Sequence, residues 1–208
     1  MEQCAVLIFA KAPVEGMVKT RLIPALGAEV VTRLYGRLLL RLVDWIRNQT
    51  PYGVELWVTP DRAHPVWGQL VEQYSVPIYL QQGDDLGERM GAAAESALAC
   101  HHQVILVGVD CPALAAHHLR QVNHWLNDGD DAVLGPAEDG GYVLLGLNRY
   151  HRRLFEGHDW GSGTVADSTR TALDELGWHW RELPELWDLD RVEDLQRLQR
   201  VSPELCQW

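Results

Sequence analysis

Short and almost continuous apolar runs recur along this chain, and they alternate with amphipathic segments. The clearest runs are residues 4–10 (CAVLIFA) and 103–109 (QVILVGV). A run of this length without polar alternation is typical of a strand that is covered on both faces, as in a parallel sheet. In residues 28–47, by contrast, leucines and valines return at helical spacing with arginines between them. Strands that alternate with helices predict an α/β domain built on a mostly parallel sheet.

The remaining elements are predicted from the same two patterns. Further strands are expected at 53–59, 76–80, 131–137, 142–148 and 178–183, and further helices at 63–73, 86–100, 115–127, 164–176 and 191–200. Residues 11–27, which include Pro13, Gly16 and Pro24, are expected to form a loop. Only residues 138–141 separate two of the strands. Because a parallel crossover needs about a dozen residues or more, that pair is expected to be antiparallel.

The composition limits the class of protein. The chain has 208 residues, 47% apolar and 23% charged, as expected for one ordinary globular domain over 1–208. Its formal net charge of -11 repels a phosphate backbone, so nucleic acid is not expected as a partner.

The first apolar run is too short to span a bilayer, and Glu2 before it and Lys11 after it reverse the charge order of a secretory signal. A cytoplasmic protein without a membrane span is expected.

The loop after the first strand is the first candidate site, because ligands of open α/β sheets bind beyond the carboxyl ends of the strands. It contains the only two lysines of the chain, Lys11 and Lys19, together with Arg21. It has neither the glycine pattern of a dinucleotide-binding fold nor that of a P-loop. Three cations at a strand end suit a di- or triphosphate. The alternative is a solvated basic loop.

Three aspartates are candidate metal ligands. Asp110 directly follows the strand at 103–109, so its carboxylate needs a partner: it either caps the next helix or binds a cation, and the basic loop opposite favours a metal. Asp188 and Asp190 share one face if that segment is extended, and paired carboxylates of this kind favour a divalent cation such as Mg²⁺. For Asp190 the alternative is a capping box with Glu193.

The start of the helix at 86–100 is a candidate nucleotide contact. Leu86, Gly87 and Arg89 follow a strand end, and free amide groups at such a helix start can hold a base or a phosphate. The alternative is an ordinary helix start with acidic residues favoured by the helix dipole.

A second glycine-containing segment is a candidate acceptor site. Asp139 and Tyr142 flank Gly140 and Gly141, which would let a ligand approach the backbone closely. The alternative is a simple hairpin turn. Trp160, inside the sequence HDWGSGT, is a plausible substrate platform.

Two other kinds of site lack support. Adjacent histidine pairs do not give the i, i+4 spacing of a zinc site, and no G-x-S-x-G elbow marks a hydrolase.

Five motifs together resemble a known bacterial family. In chain order they are FAKAPVEGMVKTRL, QQGDDLGERM, GVDCPAL, GPAEDGGYVLLGL and WDLDRVEDL, and they span nearly the whole chain. They look like the radical-SAM/selenodomain-associated transferases, predicted glycosyltransferases that are similar to the nucleotide-diphospho-sugar transferase superfamily with the GT-A fold. The resemblance implies a single Rossmann-like, three-layer domain with one antiparallel strand, which binds an activated nucleotide with a divalent cation.

The resemblance also implies roles for individual residues. Lys19 and Arg21 correspond to the phosphate-binding loop, Asp110 and Asp190 to metal ligands. Leu86 and Gly87 fall in the region that faces the nucleoside, and Asp139 and Tyr142 fall in the acceptor region. The chain has one acidic residue in Gly108-Val109-Asp110 where many GT-A enzymes have D-x-D, and its first loop lacks the glycine-rich signature of sugar nucleotidyltransferases.

Three functions follow as hypotheses. The first is a Mg²⁺- or Mn²⁺-dependent transferase that delivers a sugar from a nucleotide-sugar to a small acceptor, with Lys19 and Asp139 as catalytic groups and Asp139 as the base. The second is a nucleotidyltransferase that uses a nucleoside triphosphate and releases pyrophosphate. The third is a nucleotide-binding module without catalysis. The sequence does not define the base, the sugar, the acceptor or the oligomeric state.

Overall fold

Seven strands form one mixed sheet in the computed structural model, which describes residues 3–207. They are β1 (Cys4–Lys11), β2 (Gly53–Thr59), β3 (Ile78–Leu80), β4 (Gln103–Gly108), β5 (Ala132–Pro136), β6 (Tyr142–Leu147) and β7 (Trp180–Glu182). Their order across the sheet is β3-β2-β1-β4-β6-β5-β7. Strand β6 runs antiparallel to both β4 and β5, while the other pairs are parallel. The predicted mostly parallel sheet with one antiparallel strand is therefore confirmed.

Within residues 3–207, seven α-helices lie between or after the strands and cover both faces of the sheet. They are α1 (Ile23–Leu26), α2 (Ala28–Gln49), α3 (Pro65–Tyr74), α4 (Leu86–Leu98), α5 (Ala116–Asn127), α6 (Val165–Glu175) and α7 (Val192–Val201). Buried residues of α2, α3, α5 and α7 form one apolar core against the sheet, and those of α4 and α6 form a second core on the other face. This is the three-layer α/β arrangement that the sequence predicts. Of the predicted domain 1–208, Met1, Glu2 and Trp208 lie outside the described residues.

The predicted loop at 11–27 is wrong in its second half. Thr20–Leu22 form a 3-10 turn, and α1 follows it directly. Pro24 was the misleading residue, because a proline that breaks a helix interior is well tolerated in a first helical turn, where its missing N–H has no partner to lose. The consequence is that Lys19 lies at the start of a folded turn rather than in an open loop.

The third strand is shorter than predicted, since Pro77 cannot donate a ladder hydrogen bond and β3 begins only at Ile78.

None of the helices within residues 3–207 is both long enough and apolar enough to cross a membrane.

Candidate active site

The carboxyl ends of β1 to β4 open into a depression of about 390 Å³, here called the cation cleft. Its charged lining residues are Lys11, Lys19, Arg21, Arg89, Asp110 and Asp190. Four cations against two carboxylates give this cleft a net charge of about +2, on a chain whose total is -11. Such a local positive field favours an anionic ligand although the whole protein is acidic.

Lys19 is the central cation of the cleft. Its side chain is only 8% exposed, and its Nζ lies 2.9 Å from Oδ2 of Asp110 and 3.8 Å from Oδ1 of Asp190. Its backbone is left-handed, with φ 44° and ψ 44°, a conformation that costs a non-glycine residue about 1 kcal/mol. Arg21 also pairs with Asp190 and is much more exposed. One ammonium group therefore joins the two aspartates that the sequence predicts as metal ligands.

Asp110 does not cap a helix. The N-cap of α5 is Ala115, so the capping alternative for Asp110 is wrong. Its Oδ2 contacts Lys19, whereas its Oδ1 is buried and has no hydrogen-bond partner within the described chain. A buried carboxylate oxygen without a partner is costly unless a ligand satisfies it.

The segment before α7 is tied to the end of β4. The backbone N–H of Leu189 donates to the carbonyl oxygen of Asp110 over 2.8 Å. Trp187 and Leu189 are buried, while Asp188 and Asp190 between and after them are half-buried, which confirms the predicted alternation of faces. This long-range backbone contact, together with the backbone hydrogen bonds of Leu186 to Pro136 and Glu138, holds the C-terminal aspartates beside the strand ends.

Asp190 is not the cap of α7 either. Asp194 accepts hydrogen bonds from the backbone N–H groups of Asp190 and Arg191, at 2.9 and 2.6 Å. The predicted capping box of Asp190 with Glu193 is therefore wrong, because the helix begins one residue later and its third residue is Asp194. The carboxylate of Asp190 is left to Lys19 and Arg21.

Asp139 and Asp188 lie in a second depression of about 240 Å³, the inner cleft, which also reaches Asp110 and has largely apolar walls. Burial and, to a smaller extent, the charge of Asp139 raise the pKa of Asp188 to about 6, although the charge of Lys19 opposes the shift. Asp139 accepts a hydrogen bond from the N–H of Gly141 over 2.9 Å. Both carboxyl groups also line a third depression, the acidic cleft, together with Glu138, Asp190 and Asp194.

Of the other predicted contacts, Lys11, Arg89 and Leu86 line the cation cleft. The N–H of Lys11 donates to the hydroxyl of Tyr35 over 2.9 Å, which ties the end of β1 to α2. Arg89 donates from Nε to the carbonyl of Gly83 over 2.9 Å. Leu86 is 43% exposed and also borders the inner cleft, so it separates the two depressions.

Gly87 has a packing role, and its contact with a nucleoside stays a prediction. A Cβ at this position would lie 2.1 Å from the carbonyl oxygen of Phe155 and 2.5 Å from Nε1 of Trp160. The glycine is required because the segment after β6 packs directly onto the first turn of α4. Trp160 covers Gly87 and meets Tyr142 edge-on at 6.3 Å between ring centroids. Trp160 lines none of the three depressions described above.

The predicted acceptor segment is only partly in the clefts. Gly141 and Tyr142 line the inner cleft, and burial raises the pKa of the Tyr142 phenol. Gly140 has φ +87°, and a Cβ there would lie 2.0 Å from the carbonyl oxygen of Gly163, so this glycine serves a turn and a close backbone approach. Gly140 therefore serves the turn, as the hairpin alternative predicts, while Asp139, Gly141 and Tyr142 line the inner cleft.

Sequence reasoning missed two residues of the cation cleft. Tyr35 has the spacing of a core residue of α2, yet its hydroxyl accepts from Lys11, and burial followed by the charge of Asp110 raises its pKa. Gln81 lies directly after β3 and is the first residue of the motif QQGDDLGERM, but nothing in that motif singled it out. The place of Tyr35 and Gln81 in the cleft depends on the packing of distant strands, which leaves no pattern at the residues themselves.

The carboxylate oxygens at this site suit a hard cation whose remaining ligands are substrate phosphates and water. Among residues 3–207, no group of three or more His, Cys, Asp and Glu side chains is arranged to hold a metal ion. What the site offers is Asp110, with its unpartnered oxygen, and Asp190 beside it. Mg²⁺ is commonly held by one or two carboxylates plus substrate phosphates and water, so these two residues fit such an ion. Asp188 does not complete a three-ligand group with Asp110 and Asp190 among the described residues, and its role as a third metal ligand stays a prediction.

Comparisons with known proteins agree with this description. A family model described as "Uncharacterized protein conserved in bacteria (DUF2064)" matches residues 42–162. A solved structure from Desulfovibrio desulfuricans G20, assigned to the nucleotide-diphospho-sugar transferases, is 27% identical with a TM-score of 0.87, over 97% of this chain and 90% of that one. A comparison with curated protein sequences gives no match.

Two more distant structures establish the fold alone. A 4-diphosphocytidyl-2C-methyl-D-erythritol synthase is 14% identical with a TM-score of 0.59, over 97% of this chain and 98% of that chain. The CMP:2-keto-3-deoxy-manno-octonic acid synthetase complexed with CTP is 12% identical with a TM-score of 0.53, over 97% and 99% of the two chains. Both share the nucleotide-diphospho-sugar transferase fold with this chain.

Proposed function

We propose that this chain, which belongs to the bacterial DUF2064 family, is a transferase that takes a sugar from a nucleotide-diphospho-sugar and delivers it to a small acceptor. The observation that carries the proposal is the cation cleft, where Lys19 and Arg21 meet Asp110 and Asp190 at the carboxyl ends of the strands. The similarity to the Desulfovibrio protein supports it. The narrower form of the proposal is membership of the radical-SAM/selenodomain-associated transferases.

In this proposal the cation cleft binds the diphosphate. Arg21 is exposed and able to give two parallel hydrogen bonds to phosphate oxygens, while Lys19 supplies a compact charge. Lys19 and Arg21 together balance the charge of the two aspartates when no donor is bound, with the ammonium of Lys19 shared between them. Donor phosphates would compete for that ammonium, and Asp110 and Asp190 would then be free for another cation.

Asp110 and Asp190 are the residues that would hold a Mg²⁺ or Mn²⁺ ion. A bound divalent cation supplies Lewis-acid stabilisation of the charge that develops on the leaving diphosphate. The unpartnered Oδ1 of Asp110 is the observation in favour of this assignment.

The transfer itself would take place at the inner cleft. The oxygen of an acceptor hydroxyl forms a bond to the anomeric carbon, the bond from that carbon to the β-phosphate oxygen breaks, and the nucleoside diphosphate leaves with the electron pair. Asp139 is positioned as the base that takes the hydroxyl proton, since it lines the inner cleft and is fixed by the N–H of Gly141. Tyr142 would form part of the acceptor wall.

Nucleotidyl transfer is the second candidate, favoured by the distant likeness to the cytidylyltransferase-type folds. In that reaction an acceptor phosphate attacks the α-phosphate of a nucleoside triphosphate, and pyrophosphate leaves. The released product separates the two reactions: a nucleoside diphosphate for glycosyl transfer and pyrophosphate for nucleotidyl transfer.

A thermal-shift panel tests the proposal. Nucleotide-sugars and nucleoside triphosphates are compared, each with and without Mg²⁺ or Mn²⁺, and occupancy raises the melting temperature of the folded chain. The best donor is expected to lose most of its shift in Arg21→Met. Arg33→Met, which removes an exposed arginine paired with Glu29 on α2, is the matched control. A panel in which no nucleotide stabilises the protein under any condition would refute the proposed function.

A further inference from the structure

The hydroxyl group of Tyr35 borders the cation cleft. Tyr35 lies on the buried face of α2 and is only 5% exposed, yet it is one of the residues that line this cleft. Its hydroxyl oxygen accepts a hydrogen bond from the backbone N–H of Lys11 over 2.9 Å. A residue whose ring belongs to the apolar core therefore brings a polar group to the place where the strands end.

The bond from Lys11 shows on which side of the cleft this hydroxyl lies. The N–H groups of successive strand residues point to opposite edges, and the N–H of Ala12 donates to the end of β2. The N–H of Lys11 therefore points toward β4, whose pairing with β1 has already ended at Gly108. The hydroxyl of Tyr35 thus lies in the gap beyond the end of β4, where the charge of Asp110 acts on it.

The proton of this hydroxyl has no acceptor within residues 3–207. The oxygen of Tyr35 is already engaged as an acceptor by Lys11, and a phenol keeps its proton at neutral pH, so the remaining capacity of the group is to donate. The bond that it accepts polarises the hydroxyl and strengthens the bond that it can give. A buried donor without an acceptor is costly unless a ligand satisfies it. The net positive cleft that it borders favours an anion as that ligand.

We propose that the hydroxyl of Tyr35 donates a hydrogen bond to a phosphate oxygen of the bound donor. This inference rests on the proposed function, because it requires that the cation cleft binds a diphosphate. Tyr35 adds a neutral donor from α2 to the two cations of the first loop. The ammonium of Lys19 has to leave an aspartate to reach a phosphate, whereas the proton of Tyr35 is free before the donor binds. The contact of Tyr35 therefore breaks no ion pair.

Tyr35→Phe tests the proposal, because it removes the hydroxyl and keeps the ring that packs in the core. Calorimetry in the presence of Mg²⁺ measures the affinity for inorganic pyrophosphate and for the diphosphates of adenosine, guanosine, cytidine and uridine. Each of these ligands that binds the unaltered chain is expected to bind about ten- to a hundredfold more weakly to Tyr35→Phe, the effect of one hydrogen bond to a charged oxygen.

Tyr52→Phe is the matched control. Tyr52 is also a buried tyrosine, but it lines none of the three depressions. The control variant is expected to keep the affinity of the unaltered chain for every ligand, so a loss confined to Tyr35→Phe belongs to the hydroxyl at the cleft.

A fluorine label separates contact with the ligand from a structural role. 3-Fluorotyrosine placed at position 35 keeps the hydroxyl, so the labelled chain is expected to bind the diphosphates as the unaltered chain does. Its fluorine resonance is expected to shift on saturation with the diphosphate that binds most tightly, and to stay in place with the corresponding nucleoside at the same concentration. This measurement decides the question even if Tyr35→Phe does not fold.

The outcomes distinguish this inference from the proposed function. If a diphosphate binds but loses less than about threefold in affinity in Tyr35→Phe, or if the fluorine resonance does not move on saturation, the role of Tyr35 is refuted while the proposed function stands. If neither pyrophosphate nor any of the nucleoside diphosphates binds the unaltered chain, the proposed function fails and this inference fails with it.

Discussion

Two pairs of aspartates lie close together at this site and have opposite electrostatic surroundings. Asp110 and Asp190 share the ammonium of Lys19, and Arg21 adds a second cation to Asp190. Asp139 and Asp188 face the same clefts, but neither forms an ion pair within residues 3–207, and Asp188 has a pKa raised to about 6 by burial and by the charge of Asp139. The difference arises from the first loop: Lys19 and Arg21 form ion pairs with the first pair, whereas Asp188 feels the charge of Lys19 without an ion pair to it within residues 3–207.

The two pairs of aspartates are therefore suited to different chemistry, the first to binding an ion and the second to exchanging a proton. A pair that is ionised and neutralised by exchangeable cations is suited to hold a ligand ion. A pair in which one member titrates near neutral pH is suited to exchange protons with a substrate. The predictions below test whether the two pairs are in fact separable, from the largest expected effect to the smallest.

Removal of charge from the first pair should have the largest effect. Asp110→Asn is expected to reduce turnover at least a hundredfold, because it would weaken the hold on the proposed divalent cation, whose Lewis-acid role is worth several kcal/mol to a transition state. It is also expected to abolish any gain in donor affinity on addition of Mg²⁺. Turnover and donor affinity, each measured with Mg²⁺ and with a chelator, check this. An unchanged donor affinity in Mg²⁺ with no turnover in either protein would instead favour a binding module without catalysis.

Loss of the shared cation should weaken donor binding by about ten- to a hundredfold. Lys19→Ala removes a charge-assisted contact to phosphate and leaves Asp110 and Asp190 facing each other without their common partner. Because Asp110 is 41% exposed, we expect the free energy of unfolding to fall by only about 1–2 kcal/mol. Calorimetric titration and denaturant unfolding measure the two effects. Equal donor affinity in Lys19→Ala would contradict the phosphate role of this loop.

The raised pKa of Asp188 in the second pair should make the free energy of unfolding depend on pH. The pKa of Asp188 is raised, so the folded state retains the proton longer than the unfolded state, and the stability that this contributes at low pH is lost as the pH rises toward about 6. Asp188→Asn is therefore expected to be close to neutral near pH 4 and stabilising by about 1–2 kcal/mol at pH 7, after a discount for solvent screening.

Unfolding of both proteins with a chelator present, at several pH values from 4 to 8, checks the prediction for Asp188. The chelator ensures that no divalent cation alters the charge of the neighbouring aspartates. A stability difference that does not vary with pH would show that Asp188 is compensated like the first pair, and the contrast between the pairs would disappear.

The smallest effect is expected next to the second pair. Glu138 forms two hydrogen bonds with Arg197, at 2.7 and 2.8 Å, which lower its pKa. Its stabilisation is present above the ordinary pKa of glutamate and is lost as the pH falls through the lowered value. Because the pair is exposed, Glu138→Gln is expected to cost less than about 1 kcal/mol at pH 7. A larger loss in thermal unfolding would indicate that Glu138 also supports the acidic cleft.

The sequence predicts those parts of the site that follow from strand patterns. Asp110 was found because it ends an apolar run, and Asp188 and Asp190 because alternation places them on one face. The packing role of Gly87 was not predicted, because a glycine required for close packing has no distinct pattern in a sequence.

The pairing of charges could not be predicted in the same way. Lys19 and Asp190 are brought together by the order of strands and by long-range backbone hydrogen bonds of residues 186–189, among them the one between Leu189 and Asp110. Neither leaves a local pattern. Gln81 escaped notice for a similar reason, because its orientation depends on a carbonyl of the neighbouring strand.

The hydrogen bond between Leu189 and Asp110 also has a consequence for biosynthesis. The segment that carries Asp188 and Asp190 follows the last strand of the sheet, so it is the final part of the site to be translated. Until this segment has been made, Lys19 lacks Asp190, one of its two acidic partners. The proposed capture of a donor by the complete site would therefore have to wait for residues 187–190.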